Sequence, residues 1–173
     1  MKSPENSQKI TRLAMAGVMI ALAFIFSYLE SLLPSFTGIP GVKIGLANIA
    51  TMVAIYTLGL RYAIVIAIVR VILSGLTFTG LGAMLYGLAG TALSLLVMLL
   101  LKSLKNASGS SVFSPTIISA AGGVAHNAGQ LLVARAVLGS AVLYYLPVLI
   151  ISGLIAGFIT GIILFTLLRS MHR

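Results

Sequence analysis

LYYLPVLIISGLIAGFITGIILFTLL, residues 143–168, runs from a tyrosine pair to Arg169 without one charged side chain. Roughly 20 apolar residues suffice for a helix to cross the hydrocarbon core of a bilayer, and this stretch is longer than that. The rest of the chain has the same character. Of its 173 residues, 60% are hydrophobic and 8% charged, with a mean hydropathy of +1.16. A soluble domain carries about 25% charged residues. This composition excludes an ordinary soluble enzyme, a disordered tail and a nucleic-acid-binding domain. The net charge of +9 does not argue for DNA, because the basic residues gather at the ends of apolar runs, where membrane proteins collect them.

Working outward from 143–168 gives five more spans, at about 13–33, 43–58, 63–76, 81–101 and 115–138. The expected fold class is therefore an all-α integral membrane protein: one domain of six transmembrane helices over 13–168. A basic N-terminal segment, 1–12, precedes it, and a short tail, 169–173, follows. The first span is too long for a secretory signal and lacks a small-residue cleavage site. Pro34–Val42 (PSFTGIPGV) reads as a Pro/Gly turn segment, Gly59-Leu60-Arg61-Tyr62 as a hinge, and Lys102–Ser114 (KSLKNASGSSVFS) as a polar, flexible linker. The fourth and sixth spans look faintly alike, which shared membrane composition accounts for.

Basic residues near the span ends set the orientation. With the N-terminus in the cytoplasm, Lys2, Lys9, Arg12, Arg61, Lys102, Lys105, Arg169 and Arg173 lie inside. Lys43 and Arg135 lie outside. Both termini are thus expected on the cytoplasmic side of the cell membrane.

Polar groups inside a bilayer are costly, by a few kcal/mol or more for an ionised side chain, so each calls for a reason. Glu30 closes the first span, Lys43 opens the second and Asn48 follows it. Arg70 lies within the third span, roughly 10 Å from its start at 1.5 Å per residue. His126, Asn127 and Gln130 cluster in the fifth, with His126 and Gln130 on one helix face. These residues fall in the outer half and suggest a pocket open to the outside. Plainer roles compete for several of them. Glu30 and Lys43 suit interfacial pairing or snorkelling, Arg70 suits capping of backbone carbonyls, and His126 suits packing. Arg135 lies about 180° round the helix from His126 and reads as an anchor. Tyr144 and Tyr145 read as interfacial belt residues. Small-residue stripes (Gly153, Gly157, Gly161; Ala121, Ala125, Gly129) suit close helix packing. Gly17 and Ala21 in the first span suit either packing or a partner.

Much chemistry is missing. Cys and Asp are absent, and Glu occurs only at positions 5 and 30. There is no P-loop for ATP, no HExxH and no paired carboxylates. Acidic clusters that hold Mg²⁺ on a diphosphate have no ligands here. The expectation is a non-catalytic protein with no cofactor and no metal, one that binds an anionic or hydrogen-bonding small molecule.

The segments GVKIGLANIATMVAIYTLGLRYA (41–63), AIVRVILSGLTF, LYGLAGTALSLLVM, AHNAGQL and YYLPVLIISGLIAG together resemble the Gx transporter family. That family also carries the label heptaprenyl diphosphate synthase component I. The helix-two segment and the basic N-terminus before an Ala-rich first helix resemble the substrate-binding S components of energy-coupling factor (ECF) transporters. The resemblance spans nearly the whole chain after residue 10. It implies an S-component-like bundle that captures a small organic nutrient or precursor. Asn48, Arg70, His126, Asn127, Gln130, Lys43 and Glu30 would then be available to the substrate. It also implies docking onto an ECF coupling subunit with its ATPases, with the helix-one contact mapping to Gly17 and Ala21. The alternative is a membrane accessory subunit of prenyl diphosphate metabolism. The chain has no Asp-rich motif with which to catalyse that chemistry itself.

Overall fold

The computed structural model describes residues 4–32, 45–106 and 109–171. Lys43 and the Pro34–Val42 segment lie outside them. The described chain folds into six α-helices: α1 Pro4–Leu32, α2 Leu46–Thr57, α3 Leu60–Ser74, α4 Gly80–Ser103, α5 Pro115–Leu138 and α6 Leu146–Met171. Each overlaps one expected span. Four stretches are long and apolar enough to cross a membrane: 5–32, 60–103, 115–138 and 140–170. α2, at 12 residues, is about 18 Å long at 1.5 Å per residue.

Local sequence explains the boundaries. α5 starts at Ser114-Pro115, where the Ser114 hydroxyl accepts the Ile117 N–H. Proline fits the first helical turn because its missing N–H has no partner to lose there. Between α3 and α4 a five-residue π-turn, Gly75–Thr79, leads to Gly80 at φ 85°. That backbone conformation costs glycine nothing. The chain reverses there, and α4 folds back on α3. The Gly75 Cα faces the Met84 side chain, and Gly87 faces Val71. The 60–103 run is therefore a helical hairpin, as two separate spans require. Described parts of the Lys102–Ser114 linker are paired, where its composition reads as flexible. Val112 N–H bonds the Leu104 carbonyl at 3.1 Å, and Lys105 and Ser111 form a β-bridge.

Two groups of three helices make the bundle: α1, α2 and α3 pack together, and α4, α5 and α6 pack together. α5 and α6 approach closely because small residues face each other. Gly123 lies on the Gly153 backbone, Gly157 on Ser119–Ala120 and Gly161 on Thr116. The α6 stripe is thus an internal packing face. On α5 the counterpart is Thr116, Ser119, Ala120 and Gly123, and Gly129 instead meets α4 at Ala89 and Gly90.

The short α2 is held at both ends by charge from other helices. Glu30 of α1 accepts the Leu46 N–H at 2.7 Å, and Lys102 of α4 donates to the Ile55 carbonyl at 2.6 Å. A carboxylate at a helix N-terminus and an ammonium at its C-terminus both oppose the helix dipole. Lys102 also lies over the Tyr56 ring, 4.2 Å from its centroid.

The exterior is apolar, and the interior holds an apolar core together with a set of polar side chains. Leu13, Val18, Ile25, Leu154, Ile155, Phe158 and Ile162 are among the many large apolar residues exposed along α1 and α6. Buried positions include Ser27, Glu30, Arg70, Ser74, Ser94, Ser119 and Asn127. In water an apolar exterior of this extent drives association; against lipid tails it is the matched surface.

Candidate functional site

Successive helices alternate in direction. The C-terminal halves of α1, α3 and α5 therefore meet the N-terminal halves of α2, α4 and α6 at one end of the bundle. A cavity of about 100 Å³ opens there, between the two groups of helices, and all six helices line it. It extends from Glu30, Thr79 and Gln130 down to Ser94, Met98 and Ser119. Six residues of α5, from Ser119 to Gln130, line that depth, about 16 Å for eleven steps at 1.5 Å per residue. Met52, 1% exposed, and Met98 close the floor.

Six of the seven residues read from the sequence as a binding set line this cavity: Glu30, Asn48, Arg70, His126, Asn127 and Gln130. The seventh, Lys43, lies outside the described residues. Arg135 is exposed and lines no part of the cavity. Tyr144 and Tyr145 lie in a 3₁₀ turn, Ser140–Tyr145, that leads into α6, and both are exposed.

The six residues differ in what they have left to offer. Arg70 is 9% exposed, and its Nη1 donates to Ser27 Oγ of α1 at 3.3 Å. Its Nε has no partner within the protein. Glu30 faces the same cavity but is not in ion-pair contact with Arg70; its carboxylate is engaged with α2. Asn127 is spent on the fold at its amino end, where Nδ2 donates to the Leu149 carbonyl at 2.7 Å and Ser152 Oγ at 3.2 Å. That pair of bonds ties α5 to α6. His126 Nε2 and Gln130 Nε2 lie 3.2 Å apart on one face of α5, as their four-residue spacing requires.

Three serines were not legible as site residues. Ser27 positions Arg70, and Ser74 and Ser94 place buried, unpartnered hydroxyls on the cavity wall. Buried polar atoms in native proteins nearly always find a partner. Ser74, Ser94 and Arg70 bring unpartnered groups to this one cavity, while those of Thr51, Tyr56 and Thr91 lie elsewhere. Among the described residues no three His, Cys, Asp or Glu side chains cluster as a metal site would need.

Gly17 and Ala21 are exposed on α1, and Gly17 has open space beside it. They make no internal packing face, unlike the α6 stripe.

An apolar exterior, four stretches able to cross a bilayer and polar groups turned inward on one cavity define a helical bundle of the membrane type. The chain belongs to the heptaprenyl diphosphate synthase component I family, whose sequence pattern matches residues 19–167. The match begins within α1 and ends within α6, so the whole cavity lies inside it. No curated protein and no solved structure matches the chain.

Proposed function

We propose that this protein is a membrane-embedded solute-capture subunit, S-component-like, which takes up a small organic nutrient or precursor. Six helices cross the cell membrane, both termini are cytoplasmic, and the cavity opens outward. The observation that carries the reading is the convergence of Arg70, Glu30, Asn48, His126, Asn127 and Gln130, from four helices, on one polar cavity. Arg70 anchors the solute by charge, while Gln130, His126 and Asn48 orient it by hydrogen bonds. Asn127 contributes chiefly by holding the α5–α6 wall in place. Lys43, which opens the second span in the sequence, is assigned to the same set from the sequence alone. The chain carries no P-loop and one carboxylate within its spans, so energy for uptake comes from a partner, an ECF coupling subunit with ATPases. Gly17 and Ala21, exposed on α1, offer that partner a surface of small residues that permits close helix approach. The protein performs no catalysis of its own.

The family's description favours a second reading. As a synthase component, the chain would serve as a non-catalytic membrane subunit and hold a prenyl diphosphate or the catalytic chain at the bilayer. One experiment separates the two. The protein is affinity-purified from native membranes in mild detergent, and retained proteins are quantified by mass spectrometry. Stoichiometric recovery of a coupling subunit with its ATPases is the expected result. Recovery of a prenyl diphosphate synthase without ATPases would replace it with the second reading.

A further inference from the structure

The cavity's polar groups are not balanced. Arg70 and Glu30 are the ionisable Lys, Arg, Asp or Glu side chains that line it among the described residues. Glu30 accepts the Leu46 N–H at the positive end of α2, and its charge acts on Arg70 only at a distance, without an ion-pair contact. Arg70 has a neutral partner, Ser27, at one nitrogen only. A guanidinium 91% buried with no acceptor at Nε is an expensive group to keep unless something completes it.

The bond to Ser27 shows which edge is unpaired. With Nη1 turned to Ser27, the opposite Nε/Nη2 edge remains, and that edge takes a carboxylate or phosphate through two parallel hydrogen bonds. Ser74 stands four residues further along α3, on the same face, and its buried hydroxyl also has no partner. Both residues line the cavity.

We propose that the cavity takes a compact monoanion, whose carboxylate-type group sits on the Nε/Nη2 edge of Arg70 and accepts a further hydrogen bond from Ser74. This deepens the capture reading and rests on it. Arg70 is one cation, and with Glu30 nearby it can answer no more than one negative charge. A diphosphate would bring two or three charges into a site with one answering group. The cavity, of about 100 Å³ and lined at its inner end by Met52 and Met98, suits a compact ligand better than a long isoprenoid chain. Ser27 is a positioning residue: it fixes the guanidinium to α1 and meets no ligand.

The test uses the full chain purified in detergent, with three probes: benzoate, its neutral amide benzamide, and inorganic pyrophosphate. Unfolding midpoints are followed as each is titrated, because a ligand that binds the native state raises the midpoint saturably. The expected result is a saturable benzoate shift, with little from benzamide or pyrophosphate. Ser74→Ala removes a hydroxyl that no protein group uses, so the variant folds, and its apparent benzoate affinity falls about tenfold, the loss expected for one hydrogen bond to a charged group. Arg70→Lys keeps the charge and loses the two-bond edge, so its benzoate shift falls further. Benzamide shifts equal to those of benzoate would overturn the anion assignment while leaving the cavity a binding site. A stronger pyrophosphate shift that Arg70→Lys diminishes would overturn it in favour of a diphosphate. No saturable benzoate shift, or one indifferent to both substitutions, would overturn Arg70 as the ligand's anchor.

Discussion

At Arg70 the protein keeps a charge where burial is costly, and the structure spends a second residue to hold it still. Ser27 Oγ, at 3.3 Å from Nη1, sits on a different helix from Arg70, so the bond fixes both the side chain and the α1–α3 spacing. Ser27→Ala is expected to leave the guanidinium in the cavity but free to swing. A hydrogen bond to a charged group contributes roughly 1.5–3 kcal/mol, so benzoate affinity should fall at least about tenfold. Ser27→Thr, which keeps the hydroxyl, should recover most of it. Equal affinities in Ser27→Ala and the native protein would show that Arg70 is held by packing alone. The sequence announces Arg70 because a charge inside an apolar run is conspicuous. Ser27, Ser74 and Ser94 are silent there, because serine is common in membrane helices and carries no charge. Glu30 is legible as important but not as a cap, since its partner is a backbone N–H brought near only by folding.

Among the elements, α5 and α6 carry the clearest division between glycines that matter for packing and one that does not. The Cα of Gly153 lies against the Gly123 carbonyl and the Asn127 amide, both under 3 Å from where a methyl group would sit. Gly153→Ala is expected to separate the helices and strain the Asn127 bonds to Leu149 and Ser152, at a cost of about 1–3 kcal/mol, typical of overpacking. Gly17→Ala, with nothing within 4 Å of the new methyl, should not lower the unfolding midpoint of the isolated protein and should raise it slightly, since alanine favours a helix interior over glycine. Unfolding midpoints in one detergent decide it: equal losses in both variants would contradict this assignment of the two stripes. The existence of α6 and its packing stripe was readable from the four-residue spacing of Gly153, Gly157 and Gly161. The matching surface on α5 was not. The actual contacts run through Ser119, Ala120 and Gly123, because the crossing of two helices, rather than regular spacing on each, selects which residues touch. The α3–α4 reversal at Gly80 was placed by a gap between apolar runs, but its π-turn was beyond a reading of hydropathy alone.

For the whole molecule, the proposed six crossings are tested most sharply at α2. At about 18 Å, α2 is shorter than the roughly 30 Å hydrocarbon core, so it cannot span it unaided. Its ends are nevertheless treated as polar ends, with Glu30 at one and Lys102 at the other. Immediately after it comes Arg61, exposed at the start of α3 and long enough to reach a headgroup region from below it. If α2 counts as a crossing, the α2–α3 turn, the Lys102–Ser114 linker and both ends of the chain lie on one side. The turn before α6 then lies on the other. The chain contains no cysteine, so single-cysteine variants need no altered background. Lys9→Cys, Arg61→Cys, Lys105→Cys and Arg169→Cys should react with a membrane-impermeant maleimide only in inside-out vesicles. Tyr144→Cys, at 89% exposure in the native residue, should react in intact cells. Labelling of Arg61→Cys, Lys105→Cys and Arg169→Cys from the outside, with Lys9→Cys still inside, would mean that α2 enters and leaves on one face. The bundle would then have an odd number of crossings, and the cavity mouth at Glu30 would have to be placed again from the α5–α6 end alone.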